Sequence, residues 1–488
     1  MTHIIELPSE ILELIGDFLD KRAILNAIRT CQLFHQHYSS TLHWKEVTVQ
    51  TCTDSAAAEG DSLLNIDTLR AHARSVQYLK LYGSLPSEYF DISFPHLTAL
   101  KLDGILAIDI GVPGRYRGQD SNWARVVRRN PTIRDVDICL CPLTGGHSTE
   151  VWEAIRESLH KPRQIKVGSP GSIPEFSFDV QVSFWKTVSQ FEELDYNGAS
   201  DQLRIDPYEW ADFTGLQRLS YMTSSRSGAD SLQMKLFGSC HGLTRLRWLR
   251  GSGAFSVRMF LHCLRRSDWP HLDDLALNKI LASDVEFAPI ILLLPPLKHL
   301  RLDFEAFGPK CFGYLRERHF ETLITLDLMK SDRFTSRMAL EVLQKCPHLE
   351  DFMGRKILMS HVVSMPHQPW ICSGLKRLGV YFANDFESLD IPAASNANRL
   401  VLENLSRLTS LEEVDMLLKG APRLLRSKAK ACRCRLGLGL EQLKTLTRLR
   451  IARFDHMGVK DIQWMVKNWP SLEVLQGYVS TDPNIQQQ

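Results

Sequence analysis

Few groupings of side chains in this sequence have the types and spacing that chemistry requires. Glu192/Glu193 and Glu412/Glu413 are paired carboxylates of the kind general acid–base catalysis uses. Each pair lies in a stretch that reads as a strand, where neighbouring side chains point to opposite faces and cannot share a substrate. His35 and His37 stand two apart on a predicted helix, so they share no face and read as surface histidines. The pairs Cys139/Cys141 and Cys432/Cys434 lack further His or Cys partners at zinc-site spacing and read as plain thiols. The glycine-bearing run 167–172 has no lysine after it and reads as a turn rather than a phosphate loop. Walker, GxSxG and HExxH patterns are absent, as is a GxGxxG following a strand. The expectation is a chain that performs no catalysis and carries no metal or cofactor.

The segment 423–435 holds six basic residues and no acid (Arg423, Arg426, Lys428, Lys430, Arg433 and Arg435). It reads as a solvated loop, with a nuclear import signal or a phosphate contact as the functional alternatives. It has no aromatic residue to stack on bases, so it does not read as a nucleic-acid platform. Charge over the whole chain is nearly balanced, with 58 Lys+Arg against 56 Asp+Glu and a net charge of +2 in 488 residues. No global field favours nucleic acid or an anionic membrane. The longest apolar run, 287–297, carries Pro289, Pro295 and Pro296 and is far shorter than the ~20 residues of a spanning helix. The first 20 residues hold Glu6, Glu10, Glu13 and Asp17 and do not read as a signal peptide. An odd count of 11 scattered cysteines fits free thiols in a reducing compartment. A soluble cytoplasmic or nuclear protein is expected.

Two kinds of element must organise such a chain. In residues 7–44 apolar residues recur at helical spacing. Pro8 suits a first helical turn, Glu10 and Glu13 complement its positive end, and Ile11, Leu12, Ile15, Phe18 and Leu19 follow at steps of three and four. Ile24, Leu25 and Ile28 predict a second short helix, and Leu33, Phe34 and Tyr38 a third, with Trp44 closing the module. Three short helices in about 40 residues present more apolar face than they can bury alone.

The run Leu7-Pro8-x-Glu10-Ile11-Leu12-x-x-Ile15-x-x-x-Leu19, followed by Leu25, Cys31, Phe34 and Leu42-x-Trp44, resembles an F-box. The resemblance covers about 45 residues. It implies docking on the Skp adaptor, and through it on a cullin, with Leu7, Pro8, Ile11, Leu12, Ile15 and Leu19 as the contacting positions.

From Val76 onward a second pattern returns fifteen times: an apolar residue, two variable ones, an apolar one, one variable, an apolar one. Examples are 76–81 (VQYLKL), 133–138 (IRDVDI), 243–248 (LTRLRW), 297–302 (LKHLRL) and 446–451 (LTRLRI). From Phe191 to Leu375 successive copies are 25, 27, 29, 25, 26, 26 and 26 residues apart. This resembles the leucine-rich repeat, in which each unit is one strand and a return segment. The stretches between copies carry apolar residues at three and four spacing and end at breakers such as Cys346-Pro347-His348, so they read as covering helices.

The expected fold class is therefore α/β, an N-terminal three-helix F-box followed by a leucine-rich-repeat solenoid in the form of a helix-backed horseshoe. Its parts are an F-box over 1–48, a connecting segment over 49–75, the solenoid over 76–480 and a tail over 481–488. Three connections are oversized, 36 residues from Leu97, 36 from Leu375 and 35 from Leu411 to the next copy. In each strand the third and fifth pattern positions should face away from the core. These give an acidic set, Asp135, Asp137, Glu193 and Asp195 interrupted by Lys166, followed by a basic set, Arg218, Arg245 and Arg247. That is the candidate substrate surface, with charge for solubility as its bland alternative.

The combined resemblance implies the substrate-recognition subunit of a Skp–cullin–F-box ubiquitin ligase, its protein substrate unspecified. The alternative is a non-catalytic scaffold outside any ligase. Contact with membrane or nucleic acid is not expected.

Overall fold

The computed structural model describes residues 11, 12, 15, 30, 32, 34, 44–50, 64–82, 85–103, 119–139, 149–168, 178–198, 212–223, 236–250, 256–267, 269–365, 368–383, 385–386, 391–415, 440–453 and 459–478. The chain divides into two compact units, Met1–Leu243 with Arg250–Ser252, and Thr244–Leu249 with Gly253–Gln488.

The first unit is built on seven parallel strands in chain order. They are β1 (Glu46–Gln50), β2 (Tyr78–Tyr82), β3 (Ala99–Asp103), β4 (Asp135–Cys139), β5 (Gln164–Gly168), β6 (Glu193–Gly198) and β7 (Arg218–Thr223). Every copy of the sequence pattern from Val76 on produces a strand that begins two residues after the copy does. The middle apolar position runs straight across the sheet, Val47 beside Leu79, Leu100, Val136, Ile165, Leu194 and Leu219, and all seven are buried. One face of each strand therefore goes to the core, and the period of two sends the alternating residues to the other face.

β1 was not expected. It straddles the 48/49 boundary between the predicted F-box and connecting segment and pairs in full register with β2, so the sheet opens at Glu46 rather than at 76. Trp44-x-x-Val47-x-Val49 is itself a copy of the repeat pattern with tryptophan in the first position. That tryptophan, expected to close the helical module, stacks on His72 with ring centroids 4.3 Å apart. A short helix, α1 (Ile66–Ala71), capped by the Asn65 side chain, lies in the connecting segment and buries Leu69. Longer return helices are α2 (Gln119–Arg129), α3 (Thr149–Ser158) and α4 (Phe178–Val188), each packed on the next.

The second unit repeats the scheme. It takes β8 (Arg245–Arg250) apart from its last residue, then β9 (Asp274–Leu277), β10 (His299–Leu302), β11 (Thr325–Asp327), β12 (Asp351–Leu358), β13 (Arg377–Ala383), β14 (Glu413–Asp415), β15 (Arg448–Arg453) and β16 (Val474–Tyr478). These too are parallel and in chain order. Leu246, Leu275, Leu300, Leu326, Phe352, Leu378, Val414 and Leu449 form its buried central row. The return helices are α5 (Val257–Ser267), α6 (Asp284–Leu293), α7 (Pro309–Arg318), α8 (Ser336–Lys345), α9 (Met359–Ser364), α10 (Ile391–Ser406) and α11 (Val459–Asn468). A parallel sheet in which sequence neighbours are spatial neighbours, one strand per repeat, is the organisation of a solenoid. Each unit is an α/β solenoid of leucine-rich-repeat type.

The repeat unit proves longer than six residues. The residue three before each copy is also buried, as with Phe94, Asn130, Phe213, Cys240, Trp269, Cys346, Cys372 and Leu408. In several repeats its carbonyl accepts a bond from the first residue of the copy, for instance Leu97 N–H to Phe94 O at 3.0 Å and Leu375 N–H to Cys372 O at 3.0 Å. A turn thus re-aims the chain into the strand in those repeats. This explains several of the cysteines. Cys240, Cys263, Cys311, Cys346 and Cys372 are buried core thiols outside any disulfide, and burial pushes the Cys372 thiol up to about 12. Among the described residues no helix is long and apolar enough to cross a membrane.

Candidate interaction surface

The residues at the third and fifth pattern positions do form the face of each sheet opposite the core. In the first unit Asp135, Asp137, Glu193 and Asp195 are half-buried there, and Arg218 is exposed. The acidic set is not a patch of unpaired carboxylates, because cations from adjacent strands meet it. Lys101 of β3 lies 3.0 Å from Asp137 of β4. Burial alone would lower the Lys101 ammonium, but its hydrogen bond to Asp137 and the charge there raise it above its usual value. Arg163, just before β5, grips Asp135 with two bonds, Nε to Oδ1 at 3.0 Å and Nη2 to Oδ2 at 2.7 Å. Arg218 of β7 reaches Glu193 of β6 at 3.4 Å. Lys166 stands in register between Asp137 and Asp195.

In the second unit Arg245 and Arg247 are equally engaged. Both donate to one oxygen of Asp274 on β9, Arg245 Nε at 2.7 Å and Arg247 Nη2 at 3.1 Å. The Asp274 side chain is only 4% exposed. The same device continues along this sheet, with Arg377 on Asp351 at 2.5 Å, Arg448 on Glu413 at 3.0 Å and Arg450 on Asp415 at 3.2 Å. Burial raises the Asp351 carboxyl above its ordinary value while Arg377 and Arg301 pull against it. Asp274, Asp351, Arg377, Asp415 and Arg450 occupy the third and fifth positions of later copies. Extending the register that placed Arg245 would have found them.

The face of each unit is therefore a cross-strand ladder of ion pairs rather than an acidic zone followed by a basic one. Such a surface is strongly polar, with its charges paired across neighbouring strands. Among the described residues no three His, Cys, Asp or Glu side chains are placed to hold a metal ion. Glu192 and Glu193 lie at successive positions entering β6, as Glu412 and Glu413 do entering β14, with one side chain of each pair on the ladder face.

Of the six positions expected to meet an adaptor, Ile11, Leu12 and Ile15 are helical. Ile11 is 42% exposed, Ile15 half-buried, and Leu12 only 1% exposed, which makes Leu12 a core position in this chain rather than a ready contact. Leu7, Pro8 and Leu19 lie outside the described residues, as do His35, His37, Cys141, Cys432, Cys434 and the basic segment 423–435.

No protein-family model matches this chain. No curated protein matches it either. Among solved structures, a chain of the yeast Rad7–Elc1 complex is similar over 78% of this chain and 91% of its own, at 12% identity and a TM-score of 0.39. The leucine-rich repeat-containing protein LegL7 from Legionella pneumophila is similar over 66% of this chain and 97% of its own, at 16% identity and a TM-score of 0.34. The fold assignment rests on the strand order and register of this chain itself.

Proposed function

We propose that the chain is a substrate-recognition subunit of a Skp–cullin–F-box ubiquitin ligase, performing no chemistry of its own. The observation that carries this reading is Ile11, a large apolar residue exposed on a helix within the Leu-Pro-led run that resembles an F-box. An exposed apolar residue flanked by a buried one, Leu12, is the pattern of a helix with one face in its own core and another free for a partner. The paired-charge faces of the solenoid supply the substrate surface. Proximity supplies the catalytic gain, since tethering raises the effective concentration of a substrate lysine near an activated ubiquitin held by another subunit.

The test is co-purification of the Skp adaptor with wild type, with Ile11→Ala, and with Leu7→Ala/Pro8→Ala. Interface anchors are worth on the order of 2 kcal/mol each, so binding should fall at least tenfold in the double variant. Adaptor binding that is absent in wild type, or unchanged in folded variants, would leave the scaffold reading in its place.

A further inference from the structure

The apolar run 287–297 has one role as core and a second that packing leaves unused. In α6, Phe287, Ile290 and Ile291 are buried, yet the opposite side is apolar as well. Leu281, in the turn leading into the helix, is 71% exposed and Val285 is 62% exposed, and Leu292 and Leu293 are exposed further along. Half-buried Pro289 lies between them and has no N–H to give the Val285 carbonyl. Steps of four and of three or four place Val285, Pro289, Leu292 and Leu293 on one stripe of the helix, and Leu281 is exposed just before its start. A surface helix normally turns a polar face to water, and one apolar all round is normally covered on every side.

The flanks of the stripe are basic. α5 and α7 both pack against α6. Among the described side chains of α5, Arg258, His262 and Arg265 are exposed, at helical spacing on one face. On α7 they include Lys310, Arg316 and Arg318, against Glu317. Arg316 reaches Glu341 of α8 at 3.4 Å. The exposed carboxylate of α6 itself, Glu286, is turned back onto Ser283 in a capping box, with the Ser283 N–H donating to it at 2.8 Å.

We infer that the outer face of α6 is a docking site for an amphipathic helix of a partner protein whose apolar stripe is edged by acidic residues. Leu281, Val285, Leu292 and Leu293 anchor the partner's apolar stripe. Arg258 and Arg265 on one side, and Lys310 and Arg318 on the other, meet its carboxylates. Charge decides between occupants. A second copy of this face would set arginine against arginine. A bilayer would be met by aliphatic side chains without an aromatic anchor, and with Glu317 at the rim. The site is on the helical side of the second unit, away from that unit's ladder face.

The probe is a synthetic helical peptide of about 18 residues, with leucines three and four apart and glutamates along both edges of the leucine stripe. Its fluorescence anisotropy is followed against the full-length chain. Saturable binding is expected. It should weaken at least tenfold in Val285→Asp and in Leu281→Asp, both exposed changes that leave the melting temperature in place. Arg258→Glu/Arg265→Glu should weaken the glutamate peptide and strengthen a lysine-edged one. The proposal is overturned if wild type does not bind, if binding ignores these substitutions, if phosphatidylserine vesicles bind through Val285 while the peptide does not, or if Val285→Asp converts a dimer to a monomer in sedimentation.

Discussion

Arg247 of β8 holds the nearly inaccessible Asp274 of β9 at 3.1 Å, and Arg245 holds the same carboxylate oxygen at 2.7 Å. Reversing both arginines to glutamate would therefore place two carboxylates beside a third that has little water. Arg245→Glu/Arg247→Glu should lose more than about 3 kcal/mol of stability in denaturant melts. A double variant that melts like wild type would show that the pair contributes nothing to the fold.

Arg218 is the better probe of substrate contact. Its side chain is about half exposed and its ion pair to Glu193 spans 3.4 Å. Arg218→Glu should change stability by no more than about 1 kcal/mol. Partners that use the first unit's ladder should be lost from affinity purifications with this variant while the adaptor is retained, and their binding to wild type should weaken as salt rises.

Leu300 and Leu326 pair in register across β10 and β11 and are fully buried. Alanine at either should cost roughly 2 to 5 kcal/mol through the cavity it leaves. His299, next to Leu300 but on the ladder face, is half-buried, and its Nδ1 lies 3.0 Å from Thr325 Oγ1. His299→Ala should cost about 1 kcal/mol or less. Denaturant melts that ranked these the other way would shift the register by one residue.

Asp284, at the start of α6, caps the helix of the next repeat. Its carboxylate accepts from the backbone N–H groups of Gly308 at 2.9 Å, Lys310 at 2.8 Å and Cys311 at 3.0 Å. Burial would raise its carboxyl, but these bonds and the Cys311 contact bring it below the usual range. Asp284→Ala should cost about 2 to 3 kcal/mol. Gly308→Ala should destabilise in the same direction, since its Cβ would come within 2.8 Å of an Asp284 oxygen. The Asp284 contribution should be present above the ordinary carboxylate pKa of ~3.9 and disappear as pH falls further.

His319 gives the fold an acid sensitivity at milder pH. It is wholly buried, its Nδ1 accepts from the Leu297 N–H at 3.1 Å, and its Nε2 lies 3.1 Å from the Ile291 carbonyl, to which it donates as the neutral ring. Burial lowers its pKa to about 4, with Arg318 adding to the effect and the Ile291 carbonyl opposing it. A folded pKa below the unfolded value of ~6.5 means that the unfolded chain binds the extra proton. Stability is then full above pH ~6.5 and falls toward pH 4, by about 3 kcal/mol at the limit. Melts at pH 7 and pH 4.5 should show a smaller drop for His319→Gln than for wild type.

The sequence by itself determined the strands and their core face. Leucine-like residues at the first, fourth and sixth positions can be buried together only if the segment is extended and every copy uses the same face, so fifteen copies became fifteen parallel strands. It also marked stretches between copies as covering helices, as α5, α8 and α11 are, because apolar residues at three and four spacing have one way to be covered. It missed β1, since Trp44 stands where leucine is usual and reads equally well as the end of a helical module.

Tertiary structure decided everything that depends on which repeats touch. Arg247 and Asp274 are 27 residues apart, and Asp284 and Cys311 likewise 27. One repeat length brings each pair together, so a zone of like charge in the sequence becomes a ladder of opposite charges across strands. The buried state of Asp274 and His319, and the exposed state of Val285, follow from neighbours supplied by the adjoining repeats. Periodicity along one strand or helix carries no information about those neighbours, because it fixes a side chain's face and not what lies opposite.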